Sequence, residues 1–318
     1  MTCQHNTTFK GINSISEDLL LNILESNFKT FFDWAFLNIG GWFDATIQNS
    51  GTIYSNQSMS KLYLVDDPSY SDGQVWQSVR KDWVWEYEAS FASGTPIAVS
   101  GIYVNNNYIP YNSGAFTINY PEGKIIFDNP ISKTSNVKIN HSYRYVQIYR
   151  ASDSPWFNII QYPSFDNSAK DIQQTSAGNW SISGEHRVQL PAIVIDPVPR
   201  SRSRPYEIGN TSLWLEQDIA FYVLAESKND RNKLLDILRL QQDLTIQLYD
   251  TNAIAQADNL PLDHNGDLKN NPLMYPDMVD QYPWRKCFIK NISLFEIDST
   301  TPNLYQGLAR ATVEIISG

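Results

Sequence analysis

Between Ser16 and Asn38 the apolar residues Leu19, Leu20, Ile23, Leu24, Phe28, Phe31, Phe32, Ala35 and Phe36 recur at three- and four-residue steps. That spacing marks one face of a helix. Ser16 is placed to cap it, Glu17 and Asp18 suit the positive end of its dipole, and Gly40-Gly41 stops it. From Gly41 to Trp85 the periodicity lapses into Ser, Asn, Asp and Gly, with turn clusters at Asp66-Asp67-Pro68 and Ser71-Asp72-Gly73. This stretch reads as loop-like, wrapping the rest of the chain rather than folding alone.

From Trp83 to Arg150 the pattern becomes one of successive short strands. Ile102 to Ile109 reads as a hairpin turning at Asn105-Asn106-Asn107, and Phe116 to Phe127 as another turning at Pro121-Glu122-Gly123. Val137, Ile139, His141, Tyr143 and Tyr145 alternate with Lys138, Asn140, Ser142 and Arg144, which places the second set on the opposite face of one strand. Beyond a polar stretch near Asp166 to Gly184, Leu190 to Ile195 forms an apolar strand ended by Pro197 and Pro199. A strand near Ser212 to Ala225, a helix near Asp230 to Gln242 and a strand near Leu244 to Tyr249 follow. Thr251 to Pro283 lacks periodicity and reads as a long loop of the interface-forming kind, before strands near Arg285 to Ile297 and Gly307 to Ile316. The fold class expected is α+β, in three parts: an N-terminal helix and wrapping segment over 1–82, an antiparallel β-domain over 83–150, and over 151–318 a sheet with one packed helix.

Composition sharpens this picture. In 318 residues, 42% hydrophobic and 13% aromatic with 9 Trp and 18 Tyr, there is material for a large core and broad contact surfaces. The net charge of −10 argues against a general nucleic-acid binder, which needs clustered Lys and Arg, and it also serves plain solubility. Cys3 and Cys287 lie far apart in unrelated contexts and are expected reduced. No signal peptide and no apolar run of membrane-spanning length is legible, so no membrane association is expected. Six Asn-X-Ser/Thr sequons, at Asn6, Asn56, Asn140, Asn179, Asn210 and Asn291, reflect a chain rich in these residues rather than glycosylation.

Candidate chemistry is thin. There is no phosphate-binding loop, dinucleotide fingerprint, Gly-X-Ser-X-Gly elbow or His-Glu-X-X-His helix. Asp263, Asn265 and Asp267 alternate like calcium ligands, but Leu268 stands where the turn Gly belongs and Met274 where the bidentate Glu belongs, so an Asx-rich turn is the better reading. His5, His141, His186 and His264 are too scattered for a metal cluster, and Glu185-His186-Arg187 has no visible nucleophile. No catalytic residue, cofactor or metal is expected. Arg200, Arg202 and Arg204, alternating with serines, suit either phosphate contact or anchorage to acidic neighbours, with protein anchorage or a solvated linker favoured.

Two stretches carry a resemblance. Phe31-Phe32-Asp33-Trp34-Ala35-Phe36-Leu37-Asn38-Ile39-Gly40-Gly41, with Ser71-Asp72-Gly73-Gln74-Val75-Trp76 and Trp83-Val84-Trp85-Glu86 later, resembles virion proteins of tailed phages, particularly those of marine and cyanobacterial hosts. Asp218 to Glu226 with Asp230 to Leu238 resembles phage neck and tail-terminator proteins, in which a helix packs across a small sheet and copies form a ring between head and tail. The β-domain and N-terminal helix depart from a minimal tail terminator, which leaves a connector or head-completion role nearly as well placed. The resemblance implies a non-enzymatic virion protein assembled in the host cytoplasm. Its implied partners are copies of itself in a hexameric ring, adjoining portal, adaptor or connector proteins, tail tube or sheath proteins, and genomic DNA passing nearby. Trp34, Trp42, Trp76, Arg200, Arg202 and Arg204 are the expected interface residues. The rival reading is a baseplate or fibre-associated adhesion module, whose sugar groove would be built from the aromatics at 76, 83, 85 and 180.

Overall fold

A computed structural model describes residues 17–47, 52–54, 57–87, 89, 91–161, 172–184, 186–198, 201–205, 213–298 and 301–317. Helix α1 (Glu17–Asn38) buries Leu20, Leu24, Phe28, Phe32 and Phe36 in the largest core, as the spacing predicts. Its expected cap, Ser16, lies outside the described residues. At its far end Gly40 takes a φ of +85°, and the Gly41 N–H returns to the Phe36 carbonyl at 2.8 Å, satisfying an end carbonyl that would otherwise be orphaned.

Strand β1 (Trp42–Ala45) and the hairpin of β2 (Thr52–Tyr54) and β3 (Gln57–Ser58) follow. Next come β4 (Lys61–Leu64), β5 (Val75–Ser78), β6 (Gly101–Val104), β7 (Asn107–Pro110), β8 (Phe116–Asn119), β9 (Lys124–Phe127) and β10 (Val137–Ile139). These last seven form a curled antiparallel sheet in the order β7-β6-β10-β4-β5-β9-β8. The two expected hairpins are β6–β7 and β8–β9. Asn105 and Asn106 both take positive φ, the geometry a two-residue turn needs to match strand twist.

The loop-like reading of Gly41 to Trp85 is corrected here: β4 and β5 lie in the middle of the sheet. Leu62 is fully buried opposite Val137, and Val75 opposite Ile126. Each strand is four residues long between polar turns, too short for alternation to stand out.

The expected single strand through Tyr145 is broken. Past Asn140 the chain leaves the curled sheet, and β11 (His141–Arg144) pairs with β1 instead. All four β11 side chains are buried, so Ser142 and Arg144 do not face solvent.

The second half holds β12 (Gln147–Arg150), α2 (Pro155–Gln161), a three-stranded sheet of β13 (Ile172–Ser176), β14 (Asn179–Ile182) and β15 (His186–Gln189), then β16 (Ala192–Pro197), β17 (Arg202–Pro205) and β18 (Leu213–Ala225). After α3 (Lys228–Arg239) and β19 (Thr245–Tyr249) come α4 (Thr251–Gln256), α5 (Tyr275–Gln281), β20 (Pro283–Ile297) and β21 (Tyr305–Ser317). The expected long loop therefore contains two short helices, whose six and seven residues give too few turns for a readable repeat. The larger curled sheet runs β12-β16-β18-β21-β20-β19, with β17 also pairing β18.

One face of this sheet packs on α1 and α3. Leu234, Leu235 and Leu238 of α3 join Phe221, Val223, Ala309 and Val313 in the core that α1 completes. Bare Gly307 permits the approach, since a β-carbon there would fall 2.8 Å from Leu235 Cδ1. The molecule is thus mixed α+β and mostly strand, with two curled half-barrels and few helices.

Candidate functional site

Helix α1 bridges the half-barrels, and its middle turns reach a charged cleft between them. Buried Asn27 anchors this region by accepting from the Tyr249 N–H at 2.8 Å and donating to the Tyr249 carbonyl at 3.0 Å, as a neighbouring strand would. Lys29, two residues on, and Asp33, one turn beyond it, pair at 2.5 Å along the helix. The 82–86 segment supplies the facing wall. Trp83 N–H donates to the Tyr120 carbonyl and Val84 N–H to the Ser142 carbonyl, pinning the segment between the curled sheet and β11. Asp82 makes the bend with a φ of +57°, a region disfavoured for any residue with a side chain.

Arg144 sits at the centre with its side chain 4% exposed. Its Nη2 donates to both Glu86 carboxylate oxygens at 2.7 Å, its Nε to Asp82 Oδ1 at 3.3 Å, and its Nη1 to the Asp33 carbonyl at 3.4 Å. Burial opposes the Arg144 charge, but the carboxylates of Glu86, Asp82 and Asp33 outweigh it and push its pKa up. Asp82 moves the other way for an acid: desolvation raises it to about 6, only partly countered by Arg144. Behind this group His141 is fully buried with its ring 4.4 Å from that of Trp83, and burial lowers its pKa to about 3.

The cleft encloses about 360 Å³. Trp34, Trp85 and Tyr275 line it together with Leu260, Pro261 and Met278, so its charged floor has aromatic and apolar walls. Two cations, Lys29 and Arg144, face three carboxylates, Asp33, Asp82 and Glu86. Asp33 Oδ1 is buried and accepts no hydrogen bond among the described residues. The arrangement has one negative charge in surplus and a buried acceptor without a partner, which suits a cationic donor between aromatic faces.

The expected interface residues fall in separate places. Trp34 is half-buried in the cleft wall, 5.9 Å from the Tyr275 ring, and Trp42 packs half-buried 5.8 Å from Phe91. Trp76, expected at a subunit surface, is a core side chain only 3% exposed whose Nε1 donates to the Gly73 carbonyl. Arg200 lies outside the described residues. Arg202 stands on β17 with its side chain 86% exposed, 3.4 Å from Glu216, and Arg204 stacks 4.4 Å over Trp214. Trp83 and Trp180 are buried in their own cores, so the aromatics at 76, 83, 85 and 180 line no common groove.

The calcium-like run is an Asx turn. Asp263 Oδ1 accepts from the Asn265 and Asp267 amides, while the Asp267 carboxylate accepts from Tyr111, Ile118 and Leu268. No group of three or more potential ligands fit for a metal exists among the described residues, nor a helix long and apolar enough to cross a membrane. Cys287 is a free, buried thiol whose pKa burial raises; Cys3 and His5 lie outside the described residues.

Sequence reasoning missed Asp82, Glu86 and Arg144 as a group. The available signal was an arginine inside an aromatic-rich strand together with two acids flanking Trp83 and Trp85. Compared with known proteins, the chain matches no protein-family model, and no curated protein matches it.

Proposed function

We propose that this protein is a non-enzymatic structural subunit of a tailed-phage neck, assembling as a ring at the head–tail junction. The carrying observation is the placement of α3 across β18, β20 and β21 through Leu234, Leu235 and Leu238. Residues 218–226 and 230–238 bear the resemblance to tail-terminator proteins, and they are the strand and helix that make this contact. The opposite face of the same sheet carries cross-strand charges, with Lys290 pairing Glu216 and Glu314 and Arg310 pairing Asp218. A tail terminator or a connector fits this reading equally.

Native mass spectrometry of the purified chain, with antibody labelling of intact particles in the electron microscope, tests it. Closed oligomers and label at the head–tail junction are expected. Label at the tail tip or fibres would replace the proposal with the adhesion reading, and absence from particles would end both.

A further inference from the structure

We infer that the cleft seats an arginine of a second copy of this chain, delivered by the exposed strand β17 in a head-to-tail contact. The partner's identity rests on the ring reading above; the cleft chemistry does not. The cleft has one negative charge in surplus, holds the buried, unpartnered acceptor Asp33 Oδ1 at its edge, and is walled by Trp34, Trp85 and Tyr275. A guanidinium matches all three, being planar, permanently charged, rich in donors, and able to stack on aromatic faces while bonding carboxylates.

Strand β17 supplies such a group and is otherwise hard to explain. Among the described residues it pairs with β18 alone and no strand lies on its outer edge. Pro205 and the alternating arginines make that edge unsuited to extending a sheet, so side-chain insertion is the interaction left to it. Of its two arginines Arg204 is engaged by Trp214 at 4.4 Å. Among the described residues Arg202 meets Glu216 at 3.4 Å and lies near enough to Asp218 to help lower its pKa, while Lys290 approaches the same Glu216 carboxylate at 3.4 Å. An exposed pair of this kind contributes little and is readily exchanged.

One copy cannot satisfy itself. Arg202 lies beside Glu216 on the sheet face opposite the one that packs on α1, because neighbouring Leu215 points into the α1 core. β17 and β19 are also four inter-strand steps apart, roughly 19 Å. Donor and acceptor on opposite sides make the contact heterologous, the kind that closes rings when the rotation permits.

The test uses a labelled Ser-Arg-Ser-Arg-Pro peptide, blocked at both ends, titrated into the full chain by fluorescence polarisation, with native mass spectrometry of Arg202→Ala alongside. Saturable binding is expected, weakened about tenfold or more by Asp33→Asn and by alanine at the first arginine of the peptide. No saturable binding, or binding indifferent to Asp33→Asn, overturns the inference. Equal affinity for arginine methyl ester also overturns it, making the cleft a small-cation site. If the wild-type chain forms rings and Arg202→Ala forms them equally well, the contact is wrong while the ring reading stands. If the peptide binds through Asp33 but the chain never assembles, the ring reading and the contact between copies both fail, and only the cleft's affinity for this arginine sequence stands.

Discussion

Asp82 and His141 stand on adjoining segments and respond oppositely to acid. Asp82 is raised from 3.8 to about 6, so between those values the folded chain keeps a proton that the unfolded chain has lost. Stability from this group therefore falls as pH rises across that window and is level above it. His141 is lowered from 6.5 to about 3, so between those values the unfolded chain takes up a proton that the fold refuses, and stability falls as pH drops. The windows overlap and the slopes partly cancel. Melting temperatures measured from pH 4 to 7 should accordingly rise more steeply with pH in Asp82→Asn than in wild type, and should fall with pH through the lower half of that range in His141→Phe. Parallel profiles in all three chains would contradict this account. Neither effect was legible from sequence, since His141 and Arg144 alternate along a strand as if on opposite faces, whereas both faces of β11 are covered.

Among the elements, legibility tracked length and turn chemistry. Helix α1 and strands β18, β20 and β21 each span 13 or more residues, and their periodicity or apolar runs mark them. The β6–β7 and β8–β9 hairpins were marked by residues that tolerate positive φ at their turns. Strands β4 and β5 were missed because they are short and paired with β10 and β9, distant in sequence, whereas the β13–β14–β15 sheet and helices α4 and α5 pair or pack locally but are too short for a readable repeat. The packing of α3 depends on one such distant partner, Gly307. Gly307→Val should push Leu235 off the sheet and cost about 1 to 3 kcal/mol, read as a lower urea midpoint at unchanged slope. An unaltered midpoint would mean that α3 does not lie so close to β21.

Across the whole molecule, α1 packs by Phe28 and Phe32 against Phe221 of the larger sheet, and by Asp33 and Leu37 against the segments around Arg144 and Val84. The Arg144–Glu86 pair sits at this junction with both side chains nearly dry. Glu86→Ala leaves a buried guanidinium short of its main partner and should cost about 3 to 5 kcal/mol by urea unfolding. Measured at pH 5, where Asp82 without Arg144 holds its proton, Glu86→Leu combined with Arg144→Leu should cost clearly less than the single change, since no charge is then stranded. A double variant worse than the single one would show that the junction depends on the charges themselves.

Strand β21 lies between β18 and β20, matched to β18 along thirteen consecutive pairs from Leu213 with Ser317 to Ala225 with Tyr305. During synthesis β18 leaves the ribosome some eighty residues before the strand that must lie beside it. Until residues 305–317 emerge, β18 and β20 each present a long unpaired edge, the template on which nascent chains stick to one another. The order of elements along this chain therefore makes its yield in a cell depend on how those edges are shielded during translation, and a ribosome stalled after β20 would release an adhesive fragment rather than a smaller version of the fold.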